Sequence, residues 1–349
     1  MNHSLYQQQG FPIFQNRMYG SADEARNCPK GDIQLVQDPG TGVVCNAAFR
    51  PELMVYDEHY QNEQGNSPSF KRHLNQVADI VERVLGKAHL VEVGCGKGYF
   101  LETLADRGDD IAGFDPAYEG DNKRIRCEHF SPGILDRAQG LILRHVLEHI
   151  QHPLDFLAAI AKANGGRGLI YIEVPCFDWI CDRRAWFDIF YEHVNYFRLS
   201  DFFRMFGTVL ESGHLFGGQY LYVVADLASL RPPAPDAYPA VIPPAFLESI
   251  ARIGGVQVVP GAVWGAASKG VIFSLLMERV GKPIETIIDI NPAKQGKFIA
   301  ATGLQVSSPA AAMERLPRQS TIYVMNSNYM EEIKDMTQHS YTYIGVDHE

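Results

Sequence analysis

From residue 89 to about residue 175 the chain alternates short apolar runs with segments of helical period. The runs 89–93, 110–114, 140–144 and 168–174 read as strands, and 98–107 and 153–164 read as helices. Strand and helix in turn is the signature of a doubly wound parallel sheet, so the fold class expected is α/β and Rossmann-like. Upstream, an amphipathic helix is predicted over about 68–86, with Phe70, Leu74, Val77, Ile80, Val81 and Val84 near one face. Residues 1–65 are weakly periodic; Asp38-Pro-Gly-Thr-Gly42 marks a turn between short strands at Ile33–Val36 and Gly42–Val44.

Downstream the pattern changes. Residues 177–203 are rich in aromatic side chains: Phe177, Trp179, Trp186, Phe187, Phe190, Tyr191, Tyr196, Phe197, Phe202 and Phe203. Such a stripe suits core or interface packing. Gly217–Ala225 reads as a strand, and the proline-rich stretch 231–244 as a linker. A second βαβ unit follows, with strand 262–264, turn Gly265–Gly270, helix 271–280 and strand 284–289 ending in Asp289. Strand Thr321–Met325 and a helix near 330–337 complete it. The expected domains are a small N-terminal domain at 1–67, a cofactor-binding domain at 68–205 and a second Rossmann-like domain at 206–349.

Composition narrows the picture. The chain has 349 residues, 46% hydrophobic and 21% charged, enough for two or three cores. Its net charge of −10, without a basic block, argues against a nucleic-acid partner. The start, MNHSLYQQQG, has no signal-peptide pattern, and no apolar run is long enough for a membrane span. The cysteines at 28, 45, 95, 127, 176 and 181 form no Cys-x-x-Cys pair. A cytoplasmic protein with reduced thiols and no metal is the expectation.

The candidate chemistry begins at Leu90–Gly98, an apolar strand carrying Glu92 that runs into Gly94-Cys95-Gly96-Lys97-Gly98. Glycine allows positive φ and close approach of a ligand to the backbone. The spacing is not that of a dinucleotide site, and a carboxylate beside the turn would repel a pyrophosphate. It can pair with an ammonium, which S-adenosylmethionine has. Asp115, at the end of the next strand, is placed to accept ribose hydroxyls. Glu92, Gly94, Cys95, Gly96, Gly98, Phe100 and Asp115, with Arg144 and His145 at a third strand end, form the candidate cofactor set.

Three further segments carry polar chemistry. In Phe190–Phe197, His193 is the candidate general base, with Glu192 and Asn195 to orient it or bind substrate oxygens. A loop with a packed aromatic anchor is the competing reading. In Gly265–Gly270, Ser268, Lys269 and the helix start can hold an anion, or form a tight turn with a solvated lysine. It is no Walker loop, because Val271 and Ile272 follow the last glycine. In Arg144–Pro153, Glu148 and His149 would diverge on a helix, so a metal site is not expected there. A place beside the cofactor or a strand-end cap suits that segment better.

Taken together, Val91–Phe100, Arg144–Pro153, Glu173–Phe177, Glu192-His193 with Tyr196-Phe197, Gly265–Gly270, Asp289–Gly296 and Asn328–Ile333 resemble a known family over nearly the whole chain. It is the three-part class I S-adenosylmethionine-dependent C-methyltransferases, typified by deoxysugar C-3 methyltransferases of natural product biosynthesis. The resemblance implies a small N-terminal domain, a Rossmann methyltransferase domain and a second Rossmann-like domain that closes the substrate cleft. It implies that His193, beside Glu192, removes a proton next to a ketone of a sugar nucleotide, and that the enolate attacks the methyl group. It places Tyr60, Asn62, His149, Asn195, Lys269 and Asn328 with the substrate. The sequence departs from the family twice. Sugar-modifying members have Tyr-His-Glu-His where this chain has Phe190-Tyr191-Glu192-His193, which leaves Tyr191 as the candidate tyrosine. The family's zinc-binding Cys-x-x-Cys pairs are reduced to Cys28 and Cys45, so a zinc-free N-terminal domain is expected. Two other readings stand beside carbon methylation: oxygen or nitrogen methylation of a small metabolite, and a non-catalytic binding protein.

Overall fold

In the computed structural model, residues 4–54, 65, 67–134, 137–233, 239–246, 248–249 and 261–347 are described. A seven-stranded sheet organises the middle of the chain. Its order is 209–215, 220–226, 169–175, 140–144, 90–93, 111–114 and 125–126. The strands from 169–175 onward run parallel. The hairpin 209–226 adds two antiparallel strands to one edge. The expected domain boundary after residue 205 is therefore corrected: the hairpin belongs to the central sheet, and the second Rossmann-like unit starts beyond it. Strand 90–93 has neighbours 111–114 and 140–144 on opposite sides, so the chain reverses its winding there. Ligands of such sheets bind at that switch point, beyond the carboxyl ends of the strands.

The helix Pro68–Leu85 covers this sheet. Ser67 caps it by accepting from the Phe70 amide, Pro68 pre-sets its first turn, and Gly86 at φ 81° ends it. Phe70, Leu74, Val77, Ala78, Val81 and Leu85 are buried beneath it, while Ile80 and Val84 lie at its margin.

The N-terminal strands Ser4–Pro12, Lys30–Gln37 and Val44–Asn46 form an antiparallel sheet. Its fourth strand is Asn195–Tyr196, from the aromatic segment. Arg204 strengthens the junction by donating to the Thr41 carbonyl at 2.6 Å while pairing with buried Asp201. Most of the aromatic segment is core, as expected: Trp186, Phe187, Tyr191, Tyr196, Phe197 and Phe202 are fully buried. Phe203 is 48% exposed. Burying a large apolar side chain stabilises by about 1.5–3 kcal/mol.

A third sheet, 306–307, 286–288, 261–264, 321–324 and 342–345, is wholly parallel. Its helix Ser268–Arg279 is buried over most of its length and docks on the aromatic segment, with the Trp186 and Phe273 rings stacked at 5.6 Å and 9°. A short pairing of Phe298–Ile299 with Met18–Tyr19 ties this unit to the N-terminal region. No helix among the described residues is long and apolar enough to cross a membrane.

Candidate active site

The glycine turn sits at the switch point. Gly94, Gly96 and Gly98 have φ of 73°, 53° and 88°. A side chain at Gly94 would also meet Val146 Cγ2 at 2.4 Å, whereas a Cβ on Gly96 meets nothing within 4 Å. The turn is thus crowded beneath and open at Gly96. Asp115 braces it by accepting from the Gly96 and Ala117 amides, both at 2.8 Å. Glu92 is buried below, and its Oε2 has no hydrogen-bond partner. Burial pushes its pKa up to about 8, against the pull of Arg144. Cys95 and Phe100, counted among the cofactor residues, are core side chains. Cys95 Sγ lies under Gly113, and Phe100 supports the Arg144 guanidinium, 4.6 Å above its ring.

Arg144 and His145 converge on one buried anion. Glu173 Oε1 meets Arg144 Nη2 at 3.0 Å, His145 Nε2 at 3.0 Å and His73 Nε2 at 3.1 Å. Its Oε2 accepts from the Tyr171 hydroxyl at 2.7 Å. Burial alone would raise the Glu173 pKa, but Arg144 and the two histidines hold it well below the usual carboxylate range. His145 takes φ 51° and bridges two carboxylates, with Nδ1 3.3 Å from Glu148 Oε1. Burial opposes its charge, yet Glu148 and Glu173 outweigh it and raise the pKa to about 9. His73 and Tyr171 escaped the sequence reading. In the sequence Glu173 stands out only as the start of the Glu173–Phe177 segment of the resemblance, although a carboxylate within the largely apolar Leu169–Pro175 was a further signal.

His193 is buried and its Nδ1 has no partner. Burial and the neighbouring His149, His145 and Lys269 hold its pKa well below the ordinary value. A neutral imidazole with an unengaged nitrogen can accept a proton. His149 stands beside it, with ring centroids 4.9 Å apart, and its Nδ1 is 2.8 Å from the Glu192 carbonyl. The Glu192 carboxylate is buried and accepts from the Gln15 amide at 2.9 Å, so the N-terminal domain reaches the site. Glu148 and His149 do not diverge. They lie in a 3-10 turn, Leu147–His149, and their ligating atoms and that of His193 lie within 4.8 Å of one another. The expectation of opposed side chains is corrected, because it assumed an α-helix.

Two expected residues point elsewhere. Tyr191 does not enter the site: its hydroxyl accepts from the Arg50 amide at 2.9 Å and its ring packs against Phe49. Asn195 donates its amide to the Ile150 carbonyl at 2.6 Å, bracing the loop. At the register of the family tyrosine, Phe190 lies against His193 at 4.0 Å between ring centroids.

The third unit closes the opposite side. Gly270 permits its turn, since a Cβ there would fall 1.8 Å from the Gly265 carbonyl oxygen. Lys269 is not solvated: its Nζ pairs with Asp188 Oδ2 at 2.9 Å and lies 5.0 Å from the Trp179 ring centroid. Ser268 Oγ accepts from Asn16 at 3.0 Å. Asn328 donates to the Phe216 carbonyl at 2.8 Å, holding the two units together, while Asn326 bonds Gln219 at 2.6 Å. Lys294, within the Asp289–Gly296 segment but given no role there, is buried near Asp289 at 3.6 Å. Tyr60 and Asn62 lie outside the described residues.

These groups enclose a cavity of about 290 Å³. His145, Glu148, His149, Phe190, Glu192 and His193 face it from one side, and Lys269, Asp289, Lys294 and Asn326 from the other. Cys28 and Cys45 belong to no cluster of candidate metal ligands among the described residues.

Residues 70–209 match the family model of a methyltransferase domain, and residues 246–345 match that of a C-methyltransferase C-terminal domain. No curated protein matches the chain. Among solved structures it is similar to a Burkholderia thailandensis 1,6-didemethyltoxoflavin-N1-methyltransferase, with 16% identity, TM-score 0.35, and 46% of this chain and 80% of that one covered. It is also similar to a SAM-dependent methyltransferase from Archaeoglobus fulgidus, with 15% identity, TM-score 0.34, and coverage of 44% and 94%. For the N-methyltransferase NodS of Bradyrhizobium japonicum the identity is 12%, the TM-score 0.33 and the coverage 46% and 97%. With a methyltransferase domain on the glycine-turn sheet and a C-methyltransferase C-terminal domain across the cavity, the chain is an S-adenosylmethionine-dependent methyltransferase.

Proposed function

We propose that the enzyme methylates a carbon next to a ketone in a nucleotide-linked sugar or a related small metabolite, with His193 as general base. The observation that carries this reading is His193 itself: buried, held neutral, and facing a cavity whose other wall matches a C-methyltransferase C-terminal domain. His193 takes the proton from the carbon, the electron pair left there forms the new carbon–carbon bond, and the proton stays on the imidazole. S-adenosylmethionine supplies an electrophilic methyl whose bond to sulfur breaks, leaving its electrons on that sulfur.

The residues at the glycine turn fit this cofactor. Gly96 leaves room at the backbone, Asp115 keeps lone pairs for ribose hydroxyls, and Glu92 holds an unengaged carboxylate oxygen for a cationic ligand. A positioned base contributes about 10²–10⁴-fold in rate, and alignment of carbon and methyl supplies much of the rest. Lys269, Lys294 and Asn326 make the far wall polar, which suits the nucleotide part of the acceptor.

One observation favours a second reading. Phe190 brings a ring and no hydroxyl to the place where sugar-modifying relatives have tyrosine. An oxygen or nitrogen acceptor needs less carbon-acid activation and would tolerate that change. Labelled S-adenosylmethionine incubated with a panel of keto-sugar nucleotides, with mass detection of products, tests the first reading. A carbon-methyl product with deuterium exchange at the same carbon supports it. An oxygen- or nitrogen-methyl product without exchange would replace it with the second.

A further inference from the structure

Three side chains on the cavity wall are arranged in a way that the base role of His193 does not require. The ligating atoms of Glu148, His149 and His193 lie within 4.8 Å of one another. The His149 and His193 rings are 4.9 Å apart at 77°. Two imidazoles sharing one tetrahedral ion, each about 2.0–2.1 Å from it through nitrogen, have ring centres about 5 Å apart. The carboxylate then completes a set of two imidazoles and one carboxylate, with a fourth position open to the cavity.

The surroundings orient these donors. His149 Nδ1 faces the Glu192 carbonyl at 2.8 Å, which fixes the proton on that nitrogen and leaves a lone pair on Nε2. Glu148 Oε1 is held by His145, while Glu148 Oε2 is buried without a partner. His193 Nδ1 is likewise buried without a partner. Such outer contacts, a carbonyl behind an imidazole and a cation behind a carboxylate, set ligand orientation in metal sites. Buried polar atoms left unpaired are costly, and each calls for an explanation. A dication coordinated by all three would satisfy them together.

We infer that Glu148, His149 and His193 form a binding site for a borderline-soft transition-metal dication such as zinc, and that occupancy silences the enzyme by engaging the imidazole of its base. The silencing half rests on the base reading of His193; the binding half does not. Imidazole and carboxylate donors suit zinc and its spectroscopic substitute cobalt(II) far better than magnesium or calcium. Lys269 is paired with Asp188, so its charge is partly neutralised against an incoming cation.

The test is a titration of the full-length, cofactor-free enzyme with cobalt(II) alone, followed by ligand-field absorption, then displacement with zinc. One ion per chain is expected, without a thiolate-to-cobalt charge-transfer band. Glu148→Gln, His149→Ala and His193→Ala should each weaken binding about tenfold or more, with circular dichroism confirming the fold. Should a variant fail to fold, zinc-induced shifts in the histidine ring spectra of the unsubstituted protein locate the ion instead. Affinity unchanged in all three variants, a charge-transfer band from exposed Cys127, or ring shifts confined to other histidines would overturn the site. For an acceptor found in the panel, turnover should fall in step with zinc occupancy and return with a chelator. Turnover unaffected or stimulated by bound zinc would overturn the silencing. Because metal binding is read without substrate, failure of the sugar reading leaves the cobalt result standing.

Discussion

Lys269 Nζ lies 2.9 Å from Asp188 Oδ2, so the cation expected to greet an anionic substrate is already paired across the boundary between two units. Both side chains are largely buried. Removing one partner of such a pair leaves an uncompensated charge, at a cost of about 3–5 kcal/mol. Lys269→Met should therefore destabilise strongly, and Lys269→Met with Asp188→Asn should recover most of the loss. Chemical denaturation of the two single variants and the double variant measures the coupling; simple additivity would mean that the pair is not formed.

Glu92 gives a pH dependence of defined sign. Its folded pKa of about 8 lies above the unfolded carboxylate value, so the native state binds the extra proton. The cofactor-free protein thus loses stability as pH rises from the carboxylate range through 8. Glu92→Gln should flatten that slope in thermal unfolding. Affinity for the cationic cofactor should rise over the same interval in the unsubstituted protein, as Glu92 ionises, and stay level in the variant.

His145 acts in the same direction, here through the loss of a paired positive charge. Its raised pKa, about 9, contributes stability present below the ordinary histidine value and lost as pH rises through 9. Ring spectra of labelled histidine should show one imidazolium persisting above pH 8, and Glu173→Gln should lower its titration. His193 should stay neutral until well below the ordinary histidine range.

His193→Asn should leave cofactor affinity within about twofold, since His193 lies outside the glycine turn, and should reduce methyl transfer by about 10²–10⁴-fold. Calorimetry with S-adenosylmethionine and product detection separate the two effects. Full turnover in the variant would remove His193 from the base role.

Gly270→Ala tests the packing of the third unit. The added carbon would stand 1.8 Å from the Gly265 carbonyl oxygen, which is backbone and cannot step aside. A loss above about 4 kcal/mol is expected, seen as a lowered unfolding midpoint or as insoluble protein.

Much of this architecture was legible in the chain. The apolar runs around Leu90–Gly98 announced a parallel sheet, because strands buried on both faces leave little room for polar residues. The spacing of Phe70, Leu74, Val77 and Val81 located the helix over about 68–86, as the buried face of Pro68–Leu85 bears out. The hairpin 209–226 was misassigned, since period-two patterning reveals a strand but not the sheet it joins. Asn195–Tyr196 is too short to announce itself as a strand. At the site, the glycine turn and Glu192-His193 were readable as local motifs. The Asp188 partner of Lys269, the histidines around Glu173 and the burial of the Tyr191 hydroxyl were not, because each depends on contacts between segments distant in sequence. The convergence of Glu148 and His149 turned on a 3-10 turn that composition does not distinguish from an α-helix.

The pairing of Asn195–Tyr196 with Val44–Asn46 has a consequence for how the enzyme comes into being. The N-terminal strands leave the ribosome first, and the edge at Val44–Asn46 must wait for a partner from far along the chain. Until then it is an open strand edge, of the kind that recruits other chains. Closing so long a loop is slow. The segment that carries His193 is ordered by that closure, so competence for chemistry should arrive after the central sheet has formed, and a nascent chain delayed before residue 196 is the species most exposed to aggregation.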